Sequence, residues 1–312
     1  MSDADEIDVA VATLRAGDVI GLPTETVYGL AGDAANPAAV ARIFSVKGRP
    51  AINPLIAHVP SLKAAEGLGV FNAAARALAE AFWPGPLTLV LPYRGEGVCE
   101  AARAGLETLA LRVPSHPVAQ DVLQAFGGPL AAPSANPSGR LSPTRADDVR
   151  AELGAAVRIV LDAGPSAIGL ESTIVDCTDA VPRLLRPGGL TAERLKAVAG
   201  PIVSAGSDGP VRAPGALASH YAPRAHVRLD IDSPEPGEAY LAFGDGPNEN
   251  AMTINLSPSG DLSEAAYTLF AALRRLDATG AATIAVAPIP RHGLGLAIND
   301  RLARAAAERG GT

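Results

Sequence analysis

The chain has 312 residues, 48% of them hydrophobic and 19% charged, with a net charge of -7. This balance excludes a disordered or fibrous protein and leaves room for two domains, each with its own core. Both halves carry the acidic excess, which argues against a protein built mainly to grip nucleic acid.

Short β-like runs alternate with helical stretches almost throughout, the pattern of an α/β fold. A helix is predicted over 7–16, with Ile7, Val11 and Leu14 on one face, followed by a buried strand over 19–22. Asn36-Pro37 combines N-cap and first-turn proline chemistry, so a helix is predicted from there to about Val46, ahead of Gly48. Strands are predicted at 55–59, 87–91, 108–113 and 130–132, with helices at 72–82 and 117–126 between them. Another helix is expected near Thr144, where Thr144 and Asp147 resemble a capping pair. Strands at 158–162, 173–177 and 183–185 and a helix at 191–198 follow.

From about Ser204 to Arg224 the periodicity stops in a Gly/Pro/Ala/Ser-rich linker, which nevertheless holds His220 and Tyr221. Strands at 226–229, 239–243, 253–256 and 283–287 and helices at 263–278 and 298–309 then form a small second α/β domain. The expected division is 1–203, a linker over 204–225, and 226–312.

Cys99 and Cys177 cannot build a zinc site alone and read as reduced, packed side chains of a cytosolic protein. The acidic start Met1-Ser2-Asp3-Ala4-Asp5-Glu6 is neither a signal nor a transit peptide. No apolar run reaches the ~20 residues of a membrane span. A cytoplasmic location without membrane contact is expected.

The usual nucleotide loops are missing. There is no Gly-x-x-x-x-Gly-Lys-Ser/Thr loop, and Gly293-Leu294-Gly295 fails the dinucleotide fingerprint because Ile298 stands at the third glycine position. No metal cage is identifiable, and no Gly-x-Ser-x-Gly elbow offers a nucleophile. Polar residues instead cluster at strand ends, where α/β folds place ligands. Pro23-Thr24-Glu25-Thr26-Val27-Tyr28-Gly29 is one such cluster; a capping loop would also account for it. Lys47-Gly48-Arg49-Pro50 puts two cations at a helix end, with Asn53-Pro54 and His58 close behind. The helix dipole alone attracts cations there, yet Lys as a point charge and Arg as a bidentate fork also suit phosphate. Pro133-Ser134-Ala135-Asn136-Pro137-Ser138-Gly139 supplies small donors. Gly169-Leu170-Glu171-Ser172-Thr173 and Arg186-Pro187-Gly188-Gly189 add hydroxyls and a third cation. Together they describe a cleft for a triphosphate and a small polar co-substrate.

These segments resemble the YrdC family of threonylcarbamoyl-adenylate synthases in its long two-domain form. The resemblance runs through residues 7–200 and on into Ser219-His220-Tyr221-Ala222-Pro223. It implies a YrdC-like twisted open mixed sheet with helices, plus a smaller Rossmann-like α/β C-terminal domain. It also implies a nucleotidyltransferase that turns L-threonine, bicarbonate and ATP into threonylcarbamoyl-AMP and pyrophosphate, for threonylcarbamoyladenosine modification of tRNA by downstream transfer proteins. By matching positions, Thr26, His58, Arg112 and Ser172 would surround L-threonine, with Arg112 on its carboxylate. Lys47, Arg49, Asn53, Thr108, Ala132, Ser134, Asn136, Ser142 and Arg186 would line the ATP side, with Lys47 and Arg49 catalytic. Tyr28 would shape the pocket, and Ser219, His220 and Tyr221 would close over the nucleotide as a lid, Tyr221 touching ATP. Mg2+ would arrive with ATP, at no position the sequence can assign. His58 has a packed core histidine as its alternative, and its reference pKa of about 6.5 permits a role near neutral pH. The competing readings are an RNA-binding or nucleotide-binding regulatory protein of the same fold, and carbamoyl transfer in hydrogenase maturation. Strong direct nucleic-acid binding is not expected from so acidic a chain.

Overall fold

The computed structural model describes residues 3–204, 220–247 and 250–307. In the first domain, helix α1 (Asp3–Arg15) precedes β1 (Ile20–Leu22), β2 (Gly29–Asp33), α2 (Pro37–Lys47) and β3 (Ile56–His58). Helices α3 (Leu62–Leu68) and α4 (Ala73–Phe82) lead to β4 (Leu87–Pro92), α5 (Glu100–Arg103), β5 (Thr108–Arg112), α6 (Pro117–Phe126) and β6 (Leu130–Ala131). The domain ends with α7 (Ala146–Leu153), β7 (Ile159–Val160), β8 (Thr173–Asp176), β9 (Arg183–Arg186), α8 (Ala192–Ala199) and β10 (Val203–Ser204).

Its ten strands form one mixed sheet in the order β10-β9-β8-β4-β5-β3-β6-β2-β1-β7. Leu87, Leu89 and Leu91 of β4 face the main core. On the other side Val90 packs with Ile56, Ala110 and Ile174 of neighbouring strands and Thr88 meets the Ser172 hydroxyl, so the strand is buried on both faces. The second domain contains β11 (His226–Arg228), β12 (Ala239–Ala242), β13 (Thr253–Asn255), α9 (Leu262–Asp277), β14 (Thr283–Val286) and α10 (Gly295–Ala306). Its four strands are all parallel, in the order β11-β14-β12-β13.

Helix α2 shows how local chemistry aims a functional side chain. The Asn36 side chain accepts from the Ala38 amide at 2.9 Å, and Pro37 fills the first turn, where no N–H is missed. Ala39, Val40, Ile43 and Lys47 form the buried stripe, so Lys47 lies one turn beyond Ile43 on the inward face. Gly48 then stops the helix in the left-handed region at φ +57°.

Three local expectations change. The helix after Thr144 begins at Ala146, and the Asp148 carboxylate rather than Asp147 accepts from the Thr144 and Arg145 amides at 3.0 and 3.1 Å. Asp148 wins because it sits at the third helical position, where a carboxylate can reach back over the first turn. Helix α10 starts three residues before Ile298, and β2 extends the polar loop after Pro23 into a strand. Most of the linker, including Ser219, lies outside the described residues.

The two domains share apolar packing. Val27, Leu141 and Leu170 of the first domain join Tyr221 and the α9 face of the second, including Leu269, Phe270 and Leu273, in one buried cluster. Arg274 of α9 reinforces the seam by pairing with Glu152 and Asp148 and donating to the Leu141 carbonyl at 2.6 Å.

Candidate active site

The polar strand ends converge on one cleft. Strands β3 and β5 run parallel with His58 opposite Arg112, so both side chains emerge at the same end of the sheet. The loop after β1 brings Thr24 and Thr26 to them, and the Glu171-Ser172 pair ahead of β8 closes the side. Arg112 is 4% exposed; it donates to Thr26 Oγ1 at 2.8 Å, to Glu25 Oε1 at 2.7 Å and to the Gly85 carbonyl at 3.3 Å. A guanidinium carries five N–H donors, so these contacts fix its plane and leave donors for a substrate carboxylate. Burial opposes ionisation of Glu25, yet the charge and hydrogen bond of Arg112 hold its carboxyl below the usual range.

His58 is buried, with Nδ1 3.2 Å from the Ile56 carbonyl. Burial first, and then the Arg112 charge, push its pKa down to about 3. His58 is thereby held neutral near neutral pH, where its ring can donate or accept a hydrogen bond.

Arg49, Ala132, Ser134, Arg186 and Tyr221 form a further wall of the same cleft. Arg49 donates to the Asn53 and Pro54 carbonyls at 3.3 and 3.1 Å, and burial lowers its pKa to about 10, which leaves it cationic at neutral pH. Arg186 holds the Ser172 carbonyl at 2.9 Å and its hydroxyl at 3.3 Å. Gly188, two residues on, passes so close to the next strand that an added Cβ would lie 2.4 Å from the Glu171 carbonyl oxygen. Only glycine lets the Arg186 turn pack there.

Lys47, Asn53, Asn136 and Ser142 stand behind this wall. Lys47 Nζ donates to the Ser134 and Asn136 carbonyls, both at 2.5 Å, and so ties α2 to the Ser134–Asn136 loop. Burial, then neighbouring Arg49, pushes its ammonium well below the usual lysine range; an arriving anion would reverse that. The Asn136 amide donates to the Pro137 and Arg140 carbonyls, both at 2.9 Å. Ser142 donates to Glu171 at 2.5 Å.

Two expected residues have other places. Thr108 begins β5 while Arg112 ends it, and Thr108 does not line the cleft. The Tyr28 hydroxyl donates to the Gly164 carbonyl at 2.7 Å and supports a loop from behind. His220 and Tyr221 both reach the cleft wall, with ring centres 4.0 Å apart.

Glu25, Glu171 and Arg301 belong to the site without having been singled out. Both acids stood inside hydroxyl-rich strand-end segments, where a carboxylate needs a cationic partner. Arg301 falls in register with Ala297, Ile298, Leu302 and Ala305 on the buried face of α10, and a cation in an apolar stripe is the available signal.

A family model for Sua5, YciO and YrdC, described as "Telomere recombination", matches residues 12–188, and one described as "Threonylcarbamoyl-AMP synthase, C-terminal domain" matches residues 190–307. The chain is 39% identical to a threonylcarbamoyl-AMP synthase of Bacillus subtilis, over 97% of this chain and 94% of that one. It is similar to the crystal structure of Pyrococcus abyssi Sua5 complexed with L-threonine, with a TM-score of 0.89 and 38% identity over 96% of this chain and 94% of that one. A variant of that protein with an adjacent histidine and tyrosine changed to alanine matches with a TM-score of 0.88 at 38% identity, over 96% and 92%. The chain belongs to the Sua5/YciO/YrdC family, in the two-domain form that carries the threonylcarbamoyl-AMP synthase C-terminal domain.

Proposed function

We propose that this chain is an L-threonylcarbamoyladenylate synthase, joining L-threonine, bicarbonate and ATP and releasing pyrophosphate. The observation that carries the reading is that one cleft gathers two unlike donor sets. Arg112, Thr26 and His58 form one, and Arg49, Arg186 and Ser134, backed by Lys47, form the other, with Ser172 touching Arg186 between them. An amino acid and a triphosphate are ligands of those two chemistries, and the named relatives are synthases of this kind.

Arg112 would grip the threonine carboxylate through donors that Glu25 and Thr26 hold in plane. The Thr26 and Ser172 hydroxyls and neutral His58 would orient the side-chain hydroxyl and the amine. The amine bonds to the carbon of bicarbonate or CO2 to form a carbamate, with loss of water or a proton to solvent. A carbamate oxygen then attacks the α-phosphorus of ATP; a new P–O bond forms, the α–β bridge breaks, and pyrophosphate leaves with that electron pair. The fixed cations Arg49 and Arg186 would stabilise the charge passing to the leaving group. No covalent enzyme intermediate is required.

The residues present do not fit a protein-built Mg2+ cage. Among the described residues no group of three His, Cys, Asp or Glu is placed to hold a metal, and Glu171 is already engaged by Arg301 and Ser142. Mg2+ is therefore assigned to the ATP phosphates, and no step is routed through a protein metal site. We assign His220 and Tyr221 to a lid over the nucleotide end, where exclusion of water would protect a labile carbamate. The His/Tyr-substituted Pyrococcus abyssi variant carries its changes at the same dipeptide type. The product would pass to tRNA threonylcarbamoyl-transfer proteins in the cytoplasm; no described helix is long and apolar enough to cross a membrane.

The test is pyrophosphate release with each component omitted in turn. Release that needs ATP, bicarbonate and L-threonine together is the expected result, and release indifferent to threonine would overturn the assignment. Tight tRNA binding without ATP or threonine would favour an RNA-binding role instead.

A further inference from the structure

Two buried threonines beside Arg112 carry one hydroxyl proton each, and the distances around them fix where each proton lies. The Thr24 and Thr26 hydroxyl oxygens are 2.8 Å apart, and Thr24 Oγ1 is also 2.6 Å from the Val27 carbonyl oxygen. A carbonyl only accepts, so the single Thr24 proton goes to Val27. The proton between the two hydroxyls is then the one on Thr26. Sending the Thr24 proton to Thr26 instead would leave two oxygens 2.6 Å apart with no hydrogen between them. The Thr26 and Val27 amides make longer contacts to Thr24 Oγ1, both at 3.3 Å, and share its other lone pair.

Thr26 is therefore already committed as a donor. Arg112 Nη1 donates to its Oγ1 at 2.8 Å and takes one of its two lone pairs. Toward the cleft, which both threonines line, Thr26 presents one lone pair and no proton. That polarity matters to an amine that must act as a nucleophile. A neutral primary amine has two N–H donors and one lone pair. A hydroxyl able to donate would hydrogen-bond to that lone pair and hold back the electrons that form the new bond. A hydroxyl that only accepts takes an N–H instead and leaves the lone pair open.

We propose that Thr24 is a positioning residue that sets the polarity of the amino-acid site. By accepting the Thr26 proton it makes Thr26 an acceptor for the substrate amine and keeps the amine lone pair available for attack. The proposal rests on the synthase reading for the identity of the substrate. In the step it serves, the amine lone pair forms an N–C bond to CO2, a C–O π pair moves onto oxygen, and one N–H proton passes to solvent. Thr24 acts on that step through Thr26.

The test uses the full chain and two competitors of L-threonine that differ at the α-position. L-2-Hydroxybutyrate can donate a hydrogen bond there, whereas 2-oxobutyrate can only accept one. Calorimetric competition on the wild type should favour 2-hydroxybutyrate on the order of 10-fold, the worth of one hydrogen bond made against one left unmade. Thr24→Val returns the Thr26 proton to the cleft, and the preference should fall to within about 3-fold. Thr24→Ser keeps the oxygen and should keep the preference. With ATP, bicarbonate and threonine present, Thr24→Val should lower kcat for pyrophosphate release on the order of 10-fold, with threonine affinity within about 3-fold of wild type. Thr24→Ser should restore kcat. A merely structural role predicts instead that both competitors weaken alike and their ratio holds. A wild type with no preference, or a Thr24→Val variant with an undiminished ratio, overturns the proposal. The wild-type comparison needs no variant, so it decides even where Thr24→Val does not fold. A chain that binds threonine with the expected preference yet makes no adenylate would defeat the synthase reading and leave the polarity assignment standing.

Discussion

Replacing Glu171 by glutamine tests the electrostatic account of the cleft in a quantity that can be worked out in advance. Burial alone would raise this carboxyl, but Arg301 and Arg186, with hydrogen bonds from Ser142 and Arg301, bring it from 4.5 to about 2. At about 1.4 kcal/mol per pKa unit, that shift is worth about 3 kcal/mol of folding stability. The sign follows from the direction. A carboxylate whose pKa is depressed by folding stabilises the native state above its unfolded value, and the contribution fades as pH falls through the folded one. The substituted amide would imitate the protonated acid at every pH. The Glu171→Gln variant should therefore be about 3 kcal/mol less stable at pH 7, and the gap should shrink to roughly half by pH 3. Urea unfolding followed by the fluorescence of Trp83, the sole tryptophan, measures both arms in the first domain. A gap that stays constant between pH 7 and 3, or widens in acid, would refute the assignment of Glu171 as a buried, ion-paired carboxylate.

Lys47→Met should release the Ser134–Asn136 loop from α2 and raise KM for ATP on the order of 10-fold or more, with threonine affinity nearly unchanged; Lys47→Arg should not rescue it, because a planar fork cannot replace a compact ammonium between two carbonyls. His58→Gln should alter threonine affinity and leave the shape of the pH–rate profile between pH 6 and 8 as in the wild type, since His58 titrates at about 3; a wild-type inflexion near 6.5 that vanishes in the variant would contradict this. Gly188→Ala should destabilise the first domain by about 3 kcal/mol, in the upper range for overpacking, because its Cβ meets backbone that cannot move aside. Trp83 fluorescence in urea reads that cost directly, and an unchanged midpoint would mean the turn can relax.

What the sequence disclosed depended on whether a signal was local. Helix α2 could be placed to within one residue at its end, because Asn36, Pro37 and Gly48 are capping residues acting within a turn of themselves. Strand β2 was not legible. Gly-Leu-Ala-Gly-Asp has no β-branched or aromatic residue, and it is a strand because β1 and β6 pair with it from either side. The cations of the cleft were visible as strand-end and helix-end residues, but their partners were not. Nothing near Arg112 in sequence announces Glu25, which is 87 positions away. Likeness of motif put Thr108 on the nucleotide side, and on the extended β5 it stands four residues from Arg112, about 13 Å away at 3.3 Å per residue.

The Arg301–Glu171 contact also sets a schedule for the ribosome. Its two residues are 130 positions apart, so the first domain has emerged, with Glu171 in place, long before Arg301 exists. At synthesis rates of about 5–20 residues per second, the interval is roughly 7 to 26 s. During that time Glu171 lacks Arg301, and Val27, Leu141 and Leu170 lack the α9 face that covers them. The contacts that join the two domains therefore form only after α9 and α10 have been made.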